Sequence, residues 1–206
     1  MPIHDGYHHR GYLPHIKISG AAYFVTFRLA DSLPREVILR LKEQRENLLH
    51  QAAQRSIEDQ DHLRRELFAW YAAEVDSVLD QHIGAAWLQE PRVAELVFGA
   101  LRHFDNTRYT LHAACVMPNH VHVVVRPLGT HTLDSILHSW KSYTATQGNR
   151  LLNRVGHSFW QHESYDHWIR DDTDFAHCVR YTEDNPVKAR LCTNPRGWPW
   201  SSAGRK

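Results

Sequence analysis

The run Ala22-Tyr23-Phe24-Val25-Thr26-Phe27-Arg28-Leu29 is aromatic and β-branched and predicts a first strand. Ser32, as a cap, and Pro34 in the first turn then predict a helix from about Arg35 to Gln51, with Val37, Leu41 and Leu48 near helical spacing. Residues 52–83 continue helically, with Leu67, Trp70, Tyr71, Val75, Val78 and Leu79 as an apolar stripe that reads as core. Pro91 to Phe104 predicts another helix, turning Val93, Leu96, Val97, Ala100 and Leu101 inward. Tyr109 to Val116 and His120 to Arg126 predict two strands joined by Met117-Pro118-Asn119. So short a link makes them an antiparallel hairpin, expected at the centre of the sheet. A helix follows from about Leu133 to Leu152, capped by Thr130 or Thr132, with Ile136, Leu137 and Trp140 on one face. A short strand is expected around Tyr165 to Arg170. The acids Asp171, Asp172 and Asp174 cap a last helix from Phe175 to about Asp184, which Asn185-Pro186 should end. Trp198-Pro199-Trp200-Ser201-Ser202 is too rich in tryptophan for a free tail and should pack back on the domain. Helices interleaved with strands around a tight hairpin predict an α+β fold, a central antiparallel sheet flanked by helices, over a doubly wound parallel one.

A length of 206 residues with 42% hydrophobic positions allows one domain with extensions. The expected organisation is an N-terminal arm over about 1–19, a helical insertion over about 50–90 and a basic tail over about 186–206. No run of eighteen apolar residues and no apolar leader segment occurs, so neither a membrane span nor a secretory signal is predicted. Cys115, Cys178 and Cys192 are isolated and form no Cys-x-x-Cys pair, which points to a reduced, cytoplasmic protein. Net charge is only +1, but the tail carries Lys188, Arg190, Arg196, Arg205 and Lys206 without an acid, which suits a phosphate-binding face. No glycine-rich phosphate loop is present, which argues against a nucleotide-driven enzyme.

The chemistry concentrates at Met117-Pro118-Asn119-His120-Val121-His122. Side chains alternate along a strand, so His120 and His122 share a face, about 6–7 Å apart along it, and Val121 and Val123 take the other. Two histidines on a half-exposed sheet could simply be solvated. The valines around them predict a buried strand instead, where polar groups need partners and one metal ion would satisfy both. On the last helix Tyr181 and Asn185 lie four apart and so on one face. Two imidazoles and an amide oxygen could hold Mg²⁺ or Mn²⁺ with coordination sites left for a phosphate, and a tyrosine would attack the phosphoryl group so polarised. His112, in the preceding strand, reads as a structural histidine.

Taken together, these residues resemble a known family. Met117-Pro118-Asn119-His120-Val121-His122 is similar to the His-hydrophobic-His motif of the HUH single-strand endonucleases in their Y1 transposase form. Trp160-Gln161, Tyr165 to Asp171, Tyr181 to Ala189 and Trp198 to Ser202 resemble the REP-associated tyrosine transposases, as do Arg10 to His15 and Tyr23 to Arg28. The match runs nearly end to end and is weakest over about 50–90. It implies a ferredoxin-like HUH core and a divalent metal, Mg²⁺ or Mn²⁺. It implies cleavage of single-stranded DNA at imperfect palindromes folded as hairpins, through a 5′-phosphotyrosine link and without ATP. Carried over by position, His120 and His122 are metal ligands, Asn185 is the third ligand and Tyr181 is the nucleophile, with Tyr143 and then Tyr165 as runners-up. Three departures stand out. Glu183 and Asp184 place acid beside the nucleophile, Thr182 follows it directly, and Arg190 stands where the family commonly has glycine.

The expected partner is single-stranded or hairpin DNA, bound by a monomer or homodimer. Arg10, Arg28, Lys188 and Arg196 are candidates for DNA contact, and Tyr12 and Trp168 for stacking on unpaired bases. The alternative class is a non-catalytic hairpin-binding protein of the same fold. A small metal hydrolase that uses the histidine pair and water is a third reading. Only the first needs the hydroxyl of Tyr181.

Overall fold

The structure, a computed structural model, describes residues 5–10, 13–17, 20–53, 70, 73–81 and 83–204. Its strands are β1 (Asp5–Arg10), β2 (Leu13–Lys17), β3 (Tyr23–Arg28), β4 (Tyr109–Val116), β5 (His120–Pro127) and β6 (Tyr165–Trp168). Its longer helices are α1 (Arg35–Ala53), α2 (Pro91–His103), α3 (Leu133–Leu151) and α4 (Asp172–Lys188). The chain forms two compact units, one of residues 1–30 and 86–206, the other of residues 31–85.

In the first unit β4, β5, β3 and β6 lie side by side in that order, every neighbouring pair antiparallel. With its helices this is the expected α+β architecture. Alternation gives the sheet two different faces. Tyr23, Val25 and Phe27 of β3 and Val121, Val123 and Val125 of β5 share one face, all buried. On that side α2 packs against β4 and against α3. Trp140 of α3 gives its indole N–H to the Tyr109 hydroxyl (2.9 Å), which donates on to the Leu101 carbonyl (2.8 Å). Ala22, Phe24, Ala113 and Val124 lie on the opposite face, packed with Cys178, Phe175, Val179 and Tyr181 of α4.

Several expectations change. The N-terminal segment is not a single extended arm: β1 and β2 pair antiparallel, because a strand that doubles back satisfies its own backbone groups. The β4–β5 hairpin is off-centre, since β3 takes the other side of β5 and leaves β4 at the edge. That edge is covered by the tryptophan-rich tail, which packs back as predicted. The Val116 N–H reaches the Trp200 carbonyl (2.9 Å), the Trp198 indole N–H reaches the Val116 carbonyl (2.9 Å), and the Ala114 N–H reaches Ser202 Oγ (3.1 Å). His112 is the extra residue of a bulge between Leu111 and Ala113. Its Nε2 is buried without a hydrogen-bond partner and its ring meets Phe175 edge-on at 4.9 Å. Burial, and then Arg126, hold that imidazole below its ordinary pKa.

The last helix starts at Asp172, three residues before the expected Phe175, capped by one of the predicted acids, Asp171, which accepts from the Asp174 N–H (2.9 Å), and it runs past Asn185-Pro186 to Lys188. Pro186 lies so near the end that it removes one hydrogen bond rather than a turn. The Arg190 N–H then bonds the Val187 carbonyl (3.0 Å) and the Leu191 N–H the Pro186 carbonyl (2.8 Å), a Schellman closure. It holds Arg190 at φ 59°, the left-handed region where glycine is at ease. Arg190→Gly is therefore expected to raise stability by about 0.5–1 kcal/mol, the relief of left-handed strain less the added freedom of the unfolded chain. Denaturant unfolding of both proteins measures it, and an unchanged or lower midpoint would contradict it.

In the second unit, residues 73–79 are helical and Val75, Val78 and Leu79 pack with Leu33 and Leu41. Trp70, Val37 and Ile38 complete that core. The rest of the predicted stripe, Leu67 and Tyr71, lies outside the described residues. The Ala85 N–H closes the unit on the Asp31 carbonyl (2.9 Å), and a Cβ on Gly84 would lie 2.3 Å from that oxygen.

Candidate metal and nucleophile site

The turn at 117–119 sets β5 in register. The Met117 N–H bonds the His120 carbonyl and the Leu29 N–H bonds the Asn119 carbonyl, both at 2.9 Å. In that register Thr26 of β3 lies opposite His122, and Arg28 opposite His120. Both imidazoles are fully buried, on the face that α4 covers. Each is held through Nδ1: His120 donates to Oδ1 of Asn119 (2.7 Å), and His122 shares a hydrogen bond with Oγ1 of Thr26 (2.8 Å). The two Nε2 atoms converge to 2.9 Å.

With Nδ1–H of His120 engaged, a neutral ring directs its Nε2 lone pair at the other ring. Burial, and then Lys188, lower the His122 pKa to about 3, so this ring is neutral. The Thr26 hydroxyl can donate to or accept from Nδ1. When it donates, His122 can give its Nε2–H to His120; when it accepts, both Nε2 lone pairs point into one space, the arrangement that a shared cation needs. A separation of 2.9 Å is what two nitrogens each roughly 2.0–2.1 Å from one ion would show at a right angle.

α4 brings the third and fourth participants. Phe24 stacks on His122 (centroids 5.6 Å), and Tyr181 meets both rings edge-on, 5.7 Å from Phe24 and 5.6 Å from His122. His177, one turn earlier, lies 6.3 Å from the tyrosine ring, and the Lys188 ammonium sits 4.3 Å over its centre. Asn185, one turn after Tyr181, is fully buried, and neither atom of its amide has a hydrogen-bond partner. A buried amide without partners is costly, and a ligand that its oxygen could bind would relieve that cost.

The acids beside Tyr181 turn away from it. Glu183 accepts from Ser202 Oγ (3.0 Å), and Glu183 and Asp184 line a groove of about 700 Å³ with Arg180 and Arg196, a groove that Tyr181 does not line. Thr182, fully buried, gives its hydroxyl to the Cys178 carbonyl (2.9 Å). Tyr143 is half-exposed on α3, and Tyr165 of β6 meets Phe24 edge-on at 6.3 Å. Of the candidate DNA contacts, Lys188 is over the tyrosine, Arg28 is at the histidine end of β3, Arg196 lines the groove just described, and Arg10 ends β1. Tyr12 lies outside the described residues. Sequence reasoning missed the two orienting groups. Asn119 was visible beside His120, whereas Thr26 is distant in sequence and becomes a partner only through strand pairing. Thr26→Val keeps the shape and removes the hydroxyl. It is expected to weaken metal binding roughly 10- to 100-fold, read by titration with Mn²⁺.

Residues 90–185 match the family model "Transposase IS200 like". A REP-associated tyrosine transposase of Haemophilus influenzae is 30% identical over 105 residues, 45% of this chain; the chain spans 58% of that relative's length. Among solved structures, a REP-associated tyrosine transposase bound to a REP hairpin is 19% identical, with 97% of this chain and 84% of the other covered and a TM-score of 0.49. A transposase from Deinococcus radiodurans is 14% identical, with 86% and 96% covered and a TM-score of 0.32. Through residues 90–185 the chain is similar to the IS200-like transposases, and the resemblance to the REP-associated tyrosine transposases read from its motifs holds.

Proposed function

We propose that the protein is a metal-dependent single-stranded DNA endonuclease and strand transferase that acts on REP-type hairpin DNA with Tyr181 as nucleophile. The observation that carries this reading is the approach of Tyr181 to His122 (5.6 Å) beside paired imidazole nitrogens 2.9 Å apart. His120, His122 and Asn185 fit a divalent cation: two directed nitrogens and a buried amide without another partner. Mg²⁺ or Mn²⁺ bound there would polarise a non-bridging oxygen of the scissile phosphate and offset its developing charge.

Tyr181 Oη attacks the phosphorus and the P–O3′ bond breaks. The phenolic proton passes to solvent and the 3′ oxygen leaves as a hydroxyl. The DNA 5′ phosphate stays on the tyrosine as a diester, so the bond is exchanged and not hydrolysed, and attack by a 3′-OH can rejoin strands without ATP. Lys188, above the tyrosine ring, supplies positive charge where the phosphate arrives, and Arg28 lies toward the same end of the sheet. With Glu183 and Asp184 lining the far groove, the approach of an anion is not opposed by the acids next to Tyr181 in sequence. Arg196 and Arg10 are proposed as contacts to more distant DNA.

The test is incubation with single-stranded repeat hairpins from the source genome, with and without Mg²⁺ or Mn²⁺, followed by a denaturing gel. A protein-linked DNA band that needs the metal supports the reading. A shift on a native gel with no linked band would instead favour a hairpin-binding protein that does not cut.

A further inference from the structure

A second group of metal-capable side chains lies on α4, on the N-terminal side of Tyr181. His167 on β6 and Asp174 and Cys178, one turn apart on α4, bring one donor atom each within 4.8 Å of one another. His167 Nε2 lies 2.8 Å from Asp174 Oδ2, and Cys178 Sγ lies 3.6 Å from Asp174 Oδ1. The backbone already aims the carboxylate: the Arg170 N–H donates to Oδ2 (3.2 Å), and Asp171 holds the Asp174 N–H. His167 and Asp174 are about one-quarter exposed, so an ion can enter, while Cys178 is buried.

The donor set is mixed. Imidazole, carboxylate and thiolate together suit a borderline-soft, tetrahedral dication and not the hard Mg²⁺. We propose that His167, Asp174 and Cys178 form a binding site for a dication of the zinc class, with water as the fourth ligand, that clamps β6 to the helix carrying Tyr181.

Coordination replaces the thiol proton, which leaves to solvent, with a sulfur–metal bond. Burial, and then Asp174, push the Cys178 thiol up to about 12, whereas a bound dication deprotonates a coordinating thiol outright.

The probe is Co²⁺, titrated into the full-length protein under a non-thiol reductant, because cobalt bound to thiolate gives a near-ultraviolet sulfur-to-metal charge-transfer band. The imidazole pair, having no sulfur, cannot give it. The expected result is a saturable band in the wild type that Zn²⁺ displaces, that survives His120→Gln, that is lost in Cys178→Ser, and whose midpoint moves to higher cobalt in His167→Gln. No band in the wild type overturns the proposal, whatever the variants do. A band that persists in Cys178→Ser overturns it too, by assigning the thiolate to Cys115 or Cys192. An unmoved midpoint in His167→Gln would remove the histidine and with it the clamp.

Discussion

Tyr181→Phe is expected to abolish the covalent protein–DNA band while leaving hairpin binding unchanged. The substitution removes one oxygen and keeps the ring that meets Phe24 and His122 edge-on and lies under the Lys188 ammonium. Fold and site shape should survive. What is lost is the atom proposed to form the phosphotyrosine bond. Removal of a serine nucleophile costs roughly 10⁶ in rate, and a loss of that order puts cleavage below detection. Paired native and denaturing gels read binding and cleavage separately. Cleavage that persists with a linked band would move the nucleophile to Tyr143 or Tyr165. Cleavage that persists without one would make water the attacking group.

His122→Gln is expected to have the second largest effect. His122 is fully buried, stacked on Phe24, bonded to Thr26 and 2.9 Å from the other imidazole nitrogen, so its loss removes one of the two converging nitrogens. A metal ion supplies several kcal/mol of charge stabilisation to a phosphoryl reaction, and at 1.36 kcal/mol per decade its loss lowers cleavage roughly 10³-fold or more. Thermal unfolding adds a readout independent of activity. Mn²⁺ at a hundredfold excess over its Kd should stabilise the wild type by about 2.7 kcal/mol, and His122→Gln should show little of this. Equal stabilisation of both proteins would place the metal elsewhere.

The parts of this site that were legible in the sequence are those set by local periodicity. His120 and His122 share a face because strand side chains alternate, and Tyr181 and Asn185 share one because helical residues four apart do. The caps at Thr132 and Asp171 were likewise visible, since capping chemistry is local. What was not legible depends on pairing between distant segments. Nothing near Thr26 indicates that β3 inserts between β5 and β6, yet that insertion puts its hydroxyl on His122 and moves β4 to the edge. The outward turn of Glu183 depends on Ser202 arriving from the tail. The run of α4 past Pro186 depends on the closure at Arg190 and Leu191, whose glycine-favouring geometry is invisible when the residue there is arginine.

The measurement that bears most directly on the central claim is mass spectrometry of the protein after reaction with single-stranded hairpin DNA and Mn²⁺, followed by nuclease trimming and proteolysis. The peptide containing Tyr181 is expected to gain the mass of a nucleotide joined through its 5′ phosphate, and this gain to require the metal. An adduct on Tyr143 or Tyr165, or cut DNA with no modified peptide, would contradict it.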